Sequence, residues 1–255
     1  MSPDTKPVAP KERNLLMWII PVAIVAAGAL IYFSLQSGKS GGPEGGTGGT
    51  AGVKTPDIAA DSDIKLPAPD PAFESVRNQK GSAKAPVVVA EYADFQCPAC
   101  GVFYRNIERQ LTQEFIATGK VRLIFHPFAF IGAESVAAAE AAYCAADQGK
   151  FWPYHNVLYE NQGYQENGGS FREERLKAFA AALGLDTAKF NQCLDSDQHK
   201  AEIEEERKDA TFLSVTTTPT LFINNQKSVG SPRTYDEFRT MILDALSAAG
   251  ASPPK

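Results

Sequence analysis

Residues 85–104, APVVVAEYADFQCPACGVFY, carry a β-branched run straight into two cysteines that stand three positions apart. Ala85 to Phe95 reads as a buried strand, bounded by Pro86 and the cysteine motif. Val102, Phe103, Ile107, Leu111 and Phe115 then recur at helical spacing, and Gly119 is placed to stop that helix. KVRLIFHPFAF, residues 120–130, returns as a second strand. Strand, helix, strand in this order is a βαβ unit, which builds a parallel sheet through a right-handed crossover. Cys97 therefore falls where a strand ends and a helix begins. Unpaired backbone N–H groups and the positive end of the helix dipole favour its thiolate. Pro98 at the first helical position loses no hydrogen bond, because its N–H would have had no intrahelical partner. Cys100, one turn inside, is more buried and positioned to close a disulfide. The reading makes Cys97 the attacking nucleophile and Cys100 the resolving thiol.

Two blander readings compete. A zinc site wants four ligands and this motif supplies two. Cys144, Cys193 or His126 would have to complete it, and none belongs to a second cluster. A merely structural disulfide between Cys97 and Cys100 closes too small a ring to gain much loop entropy. No metal and no cofactor is expected.

The middle of the chain changes character. ESVAAAEAAYCAADQG (134–149) is alanine-rich and helical, and KFWPYHNVLYENQ (150–162) is a helix with Pro153 in its first turn. In SFREERLKAFAAALG (170–184), Ser170 and Glu173 suggest a capping box and Gly184 a stop. Two more helices follow, so a helical insertion spans about residues 133–214. The sheet resumes with a strand Thr220 to Ile223, a turn at Asn224–Asn225 and a strand Lys227 to Val229. Residues 231–250 close the domain as an amphipathic helix with Phe238, Ile242 and Leu246 inward. His126, His155 and His199 share no spacing for a metal or triad. Phe151, Trp152, Tyr154 and Tyr159 read as core, and AEIEEERKDA (201–210) as a solvated helix face.

The N-terminal part is not globular. Leu15 to Leu35 is an uncharged run of the length that spans a bilayer, with Trp18 and Tyr32 near its ends. No small-x-small cleavage site follows it, which favours an uncleaved anchor over a signal peptide. Lys6, Lys11 and Arg13 ahead of it keep residues 1–14 in the cytoplasm. Residues 36–71, rich in glycine and then proline, read as a flexible linker, which leaves one domain at residues 72–250. All four cysteines, Cys97, Cys100, Cys144 and Cys193, fall in the exported part, where disulfides are favoured. A formal net charge of −5 offers no basic patch for nucleic acid.

Three motifs in order, APVVVAEYADFQCPACGVFY, AAYCAADQGKFWPYHNVLY (141–159) and TTTPTLFINN (216–225), resemble the DsbA-like thiol–disulfide oxidoreductases of the thioredoxin superfamily. The resemblance covers about residues 80–248 and implies a thioredoxin fold, βαβ then ββα, with an inserted helical domain. It implies an exported oxidoreductase anchored by one span in a bacterial cell membrane, with its catalytic domain extracytoplasmic. Such an enzyme introduces disulfides into unfolded exported proteins that carry reduced cysteines. A membrane reoxidase resembling DsbB or a vitamin K epoxide reductase homologue would recharge it. The resemblance makes Pro219 the family's cis-proline, aiming the Thr218 backbone at Cys97. It makes Glu91, six residues before Cys97, a buried acid that exchanges a proton with Cys100. It also pairs Cys144 with Cys193 as a structural disulfide. The most oxidising relatives carry histidine where this chain has Ala99, so a less extreme oxidant is implied. The alternatives are a reductase, for example in cytochrome c maturation, and a non-catalytic tethered chaperone or binding domain.

Overall fold

The computed structural model describes residues 63–254 apart from Val229. The apolar run Leu15–Leu35 and most of the expected linker lie outside the described residues. Among the described residues, no helix is long and apolar enough to cross a membrane.

The sheet grows from β3, Val87–Ala93, whose alternate residues Val87, Val89, Glu91 and Ala93 are all buried. β4, Val121–Pro127, lies parallel to β3 and pairs Glu91 with Phe125. On its other side β3 takes β5, Thr220–Ile223, antiparallel, pairing Glu91 with Leu221. Short β1 (Ser75–Val76), β2 (Gln79–Lys80) and β6 (Gln226–Lys227) complete the order β1-β2-β4-β3-β5-β6. The motif-bearing strand is thus central, with neighbours that fix its register on both edges.

The crossover helix α1 covers residues 98–116. It passes through α-helical Pro98–Phe103 and Arg109–Leu111, and through π-helical turns at Tyr104–Glu108 and Thr112–Ile116. The wide turns answer a feature of the sequence. Phe103, Ile107, Leu111 and Phe115 repeat every four residues, and an α-helix of 3.6 residues per turn would rotate them about 120° apart over three steps. Turns with i→i+5 bonds wind more slowly and offset that drift, so all four stay buried. Val102 falls off this face and is 48% exposed, contrary to its place in the expected apolar set. Gly119, at φ +70°, ends the helix in a conformation that other residues rarely adopt.

Between β4 and β5 lie α2 (Ala133–Ala146), α3 (Phe151–Glu160), α4 (Glu173–Ala182), α5 (Thr187–Asp195) and α6 (Lys200–Phe212). Their packing buries Trp152, Tyr143, Tyr154 and Tyr159, and the disulfide Cys144–Cys193 joins α2 to α5. The capping box expected at Ser170 is not made. Arg172 is the N-cap of α4, because both oxygens of Glu134 on α2 take the Gly169 and Phe171 N–H groups and fix the turn before it. The exposed face of α6 is laced with pairs such as Arg207–Glu204 and Lys208–Glu205. After β6, α7 (Tyr235–Ala248) is capped by Thr234, which accepts from the Glu237 N–H, and buries Phe238, Ile242 and Leu246.

Two further differences from the sequence reading are local. Residues 63–71, taken as the end of the linker, lie against the domain instead. The Lys65 N–H donates to Asn161 Oδ1 at 2.9 Å, Asn161 Nδ2 donates back to the Lys65 carbonyl at 2.8 Å, and Asn156 Nδ2 donates to Asp70. Proline-rich polar sequence gives no periodic signal, whereas one amide side chain can match an extended backbone on both its groups. The hairpin β1–β2 was also absent from the sequence reading. Its strands are two residues long, and its turn puts Arg77 at φ +51°, where asparagine or glycine would have signalled it. The Asn224–Asn225 turn does carry that signal, with φ of +49° and +65°. It joins β5 to β6, which sits at Gln226–Lys227; Val229 of the expected strand is outside the described residues.

Candidate active site

Cys97 is the N-cap of α1, with φ −68° and ψ 117°, and Pro98 occupies the first helical turn. Cys97 and Cys100 are unbonded thiols; Cys97 is 7% exposed and Cys100 fully buried. The Cys100 thiol donates to Cys97 and brings its pKa down to about 6. Burial opposes the shift, while Thr218 and the N–H groups of Cys100 and Ala99 add to it. Cys100 moves the other way: burial first, then the neighbouring Cys97 and the charge of Glu91, push it well above the usual thiol value. Two chemically identical groups are thereby separated, Cys97 biased toward thiolate and Cys100 toward thiol.

The Thr218–Pro219 peptide bond is cis, and Cys97 Sγ lies 3.5 Å from the Thr218 carbonyl oxygen, to which the thiol donates. Pro219 is held in turn by the Ser231 hydroxyl, which donates to its carbonyl at 2.6 Å. An open groove runs past the sulfur, lined by Pro98, Phe130, Ile131, Glu166 and Thr216–Thr218. Phe130 is 48% exposed there and stacks on Phe128.

Glu91 is fully buried on β3 and neither carboxylate oxygen has a hydrogen-bond partner. Desolvation first, then the charge of Glu108, raises its pKa well above the ordinary carboxyl range, with Lys80 pulling the other way. Burial thus favours the protonated form of Glu91 as it does that of the Cys100 thiol, and the charge of Glu91 is among the causes that raise Cys100.

Several residues that shape the site escaped the sequence reading. Asp94 is buried and organises two loops at once. Its Oδ1 accepts from the Gln96 N–H at 2.8 Å and the Ser135 hydroxyl at 2.7 Å, and its Oδ2 from the Phe130 and Ile131 N–H groups. An aspartate two residues before an N–H it caps is an Asx turn, which was the legible signal. Gln162 donates from Nε2 to the carbonyls of Phe95 at 2.7 Å and Cys97 at 2.8 Å, pinning the loop from α3's far end. Beneath the site Lys80 and Glu108 form a buried ion pair at 2.7 Å, with His155 Nε2 at 3.7 Å from the other Glu108 oxygen. His155 is buried among Phe95, Tyr104, Phe125 and Tyr159 as a packing residue, and desolvation lowers its pKa. His126 bonds Glu206 and stacks on Tyr92.

Comparison with known proteins returns the same motif family. The family model described as Thioredoxin matches residues 77–244. A Na(+)/H(+) antiporter NhaA 1 of Salinispora arenicola is 34% identical over 198 residues, covering 74% of this chain and 26% of the antiporter. The chain thus spans about a quarter of the length of the first curated relatives it matches. A probable disulfide bond formation protein D of Bacillus anthracis is 32% identical over 154 residues, 59% of this chain and 70% of that protein. The crystal structure of oxidised BdbD from Bacillus subtilis superposes with a TM-score of 0.61 at 25% identity, covering 70% of this chain and 98% of that one.

Proposed function

This chain belongs to the thioredoxin family, among its DsbA-like thiol–disulfide oxidoreductases, and from that premise we propose that it introduces disulfides into exported proteins through Cys97 and Cys100. A client thiolate attacks Cys97 Sγ of the Cys97–Cys100 disulfide, and Cys100 leaves as a thiolate. The Glu91 carboxyl gives that thiolate its proton. A second client thiolate then attacks the client sulfur of the mixed disulfide, closing the client's disulfide and releasing Cys97 as thiolate. Two electrons have passed from client to enzyme. Thr218, next to Cys97 across the groove, offers its backbone to an extended client by strand addition.

The observation that carries this direction of flow is the lowered pKa of Cys97, about 6. A thiolate stabilised in the reduced form makes the disulfide easier to reduce, and so a better oxidant. In this reading Leu15–Leu35 anchors the domain on the outer face of a bacterial membrane. A membrane reoxidase of the DsbB or vitamin K epoxide reductase type then collects the electrons from a tethered partner at raised local concentration. The relative of Bacillus anthracis, named for disulfide bond formation, supports the oxidase role.

The test equilibrates the full chain with glutathione redox buffers and reads the Cys97–Cys100 potential. A value of roughly −120 to −180 mV is expected of a disulfide donor. A value near about −270 mV would overturn the proposal in favour of a reductase.

A further inference from the structure

The disulfide that joins α2 to α5 has unusual polar company. The two sulfurs of Cys144 and Cys193 and a ring nitrogen of His199 lie within 4.8 Å of one another. His199 Nε2 is 2.8 Å from Asp147 Oδ2, and the same oxygen is 4.0 Å from Cys193 Sγ. Gln198 Nε2 also donates to it at 3.1 Å. The other ring nitrogen, Nδ1, faces Glu202 Oε2 at 3.0 Å, and Glu202 is tied in turn to Arg77 at 3.0 Å. A disulfide in a packed helical layer needs neither an imidazole nor a carboxylate beside it.

We propose that, once this disulfide is reduced, the thiolates of Cys144 and Cys193, His199 Nε2 and the Asp147 carboxylate bind one Zn²⁺. The cross-link between α2 and α5 then persists in a second chemical form. An external dithiol supplies the two electrons: the Cys144–Cys193 bond breaks, the reductant closes its own disulfide, and two thiols remain. Zinc forms two Zn–S bonds and releases the two thiol protons to solvent.

The donor set suits the ion. Two thiolates, one imidazole and one carboxylate are ligands that zinc takes in a tetrahedron. Bonds of about 2.3 Å at that angle put the sulfurs roughly 3.8 Å apart and the sulfur and nitrogen about 3.6 Å apart. The Cα atoms of the two cysteines are 5.8 Å apart, which leaves the side chains room to open that far by rotation. Glu202 supplies the second requirement, a carboxylate on Nδ1 that fixes the ring and turns Nε2 toward the metal. Access is from the Asp147 side, whose side chain is 40% exposed while both cysteines are buried. Because either link joins the same residues, 49 apart in sequence, each closes the same loop of chain. The helical layer would keep its clamp under reducing or oxidising conditions, independently of what Cys97 does.

The test uses the full chain with Cys97→Ser and Cys100→Ser, reduced by a thiol-free phosphine and titrated with Co²⁺, then Zn²⁺. The expected result is one cobalt per chain, with thiolate charge-transfer and tetrahedral d–d absorption that zinc abolishes. Glu202→Gln should weaken binding about tenfold, in the range seen for such partners, and His199→Ala by more. Zinc should raise the melting temperature of the reduced chain and leave the oxidised chain unchanged. Absent cobalt bands, or bands equally strong in His199→Ala, overturn the site, since the second result would mean two thiolates in a loosened chain. If reduction removes helical circular dichroism, its recovery on adding zinc supports the site, and failure to recover overturns it.

Discussion

Replacing Cys100 by alanine and, separately, by serine isolates what holds the Cys97 thiolate. The largest contribution to the lowered pKa of Cys97, about 6, is the Cys100 thiol donating to it; Thr218 and the backbone N–H groups follow. At pH 7 a thiol of pKa 6 is about 90% ionised, whereas one at an ordinary value near 9 is about 1% ionised. Cys100→Ala removes the donor and leaves the helix terminus and backbone in place, so the Cys97 titration should move up to about 7 or higher by the loss of one charge-assisted bond. Cys100→Ser restores a donor at the same position and should keep the midpoint close to the wild-type value. The assay is thiolate absorbance at 240 nm against pH, with the rate of iodoacetamide alkylation as a second readout. The wild-type comparison uses only the low-pH transition, because Cys100 itself is pushed well above the usual range and does not titrate there. If both variants titrate where the wild type does, Thr218 and the helix N-terminus suffice to lower the pKa. The assignment of Cys100 as the donor is then refuted.

Three further outcomes follow from the same geometry. Glu91→Leu should slow formation of the mixed disulfide with client by on the order of 10²-fold, because the departing Cys100 thiolate loses its positioned proton donor. The same change should stabilise the fold at pH 7 by about 1–3 kcal/mol, because it removes a buried carboxyl that has no partner. The sign follows from the raised pKa of Glu91: above the ordinary carboxyl value the unfolded chain gives up a proton that the folded chain retains, so that destabilisation grows with pH. Urea melts at pH 4 and pH 7 would show it, and a stability gain no larger at pH 7 than at pH 4 would contradict it. Lys80→Met should cost roughly 3–5 kcal/mol by stranding Glu108, and Lys80→Met with Glu108→Leu should recover most of that in the same melts. Cys144→Ser with Cys193→Ser should cost up to about 4 kcal/mol, from the loop entropy of a 49-residue separation, without moving the Cys97–Cys100 potential.

The order of elements and the place of Cys97 were legible from sequence because both rest on local rules. A β-branched run, a helix start and a proline at its first position need only neighbours along the chain to be recognised. The burial of Glu91 followed from strand alternation once β3 was known to be central. What stayed hidden is what depends on a distant partner. Lys80 reads as an ordinary surface lysine until β2 carries it over the ring of Trp152 and against Glu108. The proline-rich stretch before the domain reads as a tether until Asn161, 96 residues away, accepts and donates at Lys65.

By itself, then, the sequence determined a strand-to-helix cysteine pair on a βαβ frame, with an inserted helical layer. Spacing and residue type are enough to state those features. The direction of the Cys97 shift was legible from its place at a helix start. The groups that set it, and those acting on Cys100 and Glu91, were decided by tertiary structure, since desolvation and side-chain hydrogen bonding act through space. Folding put the Cys100 thiol against Cys97, buried Glu91 without a hydrogen-bond partner, and gathered Asp147 and His199 around the second cysteine pair.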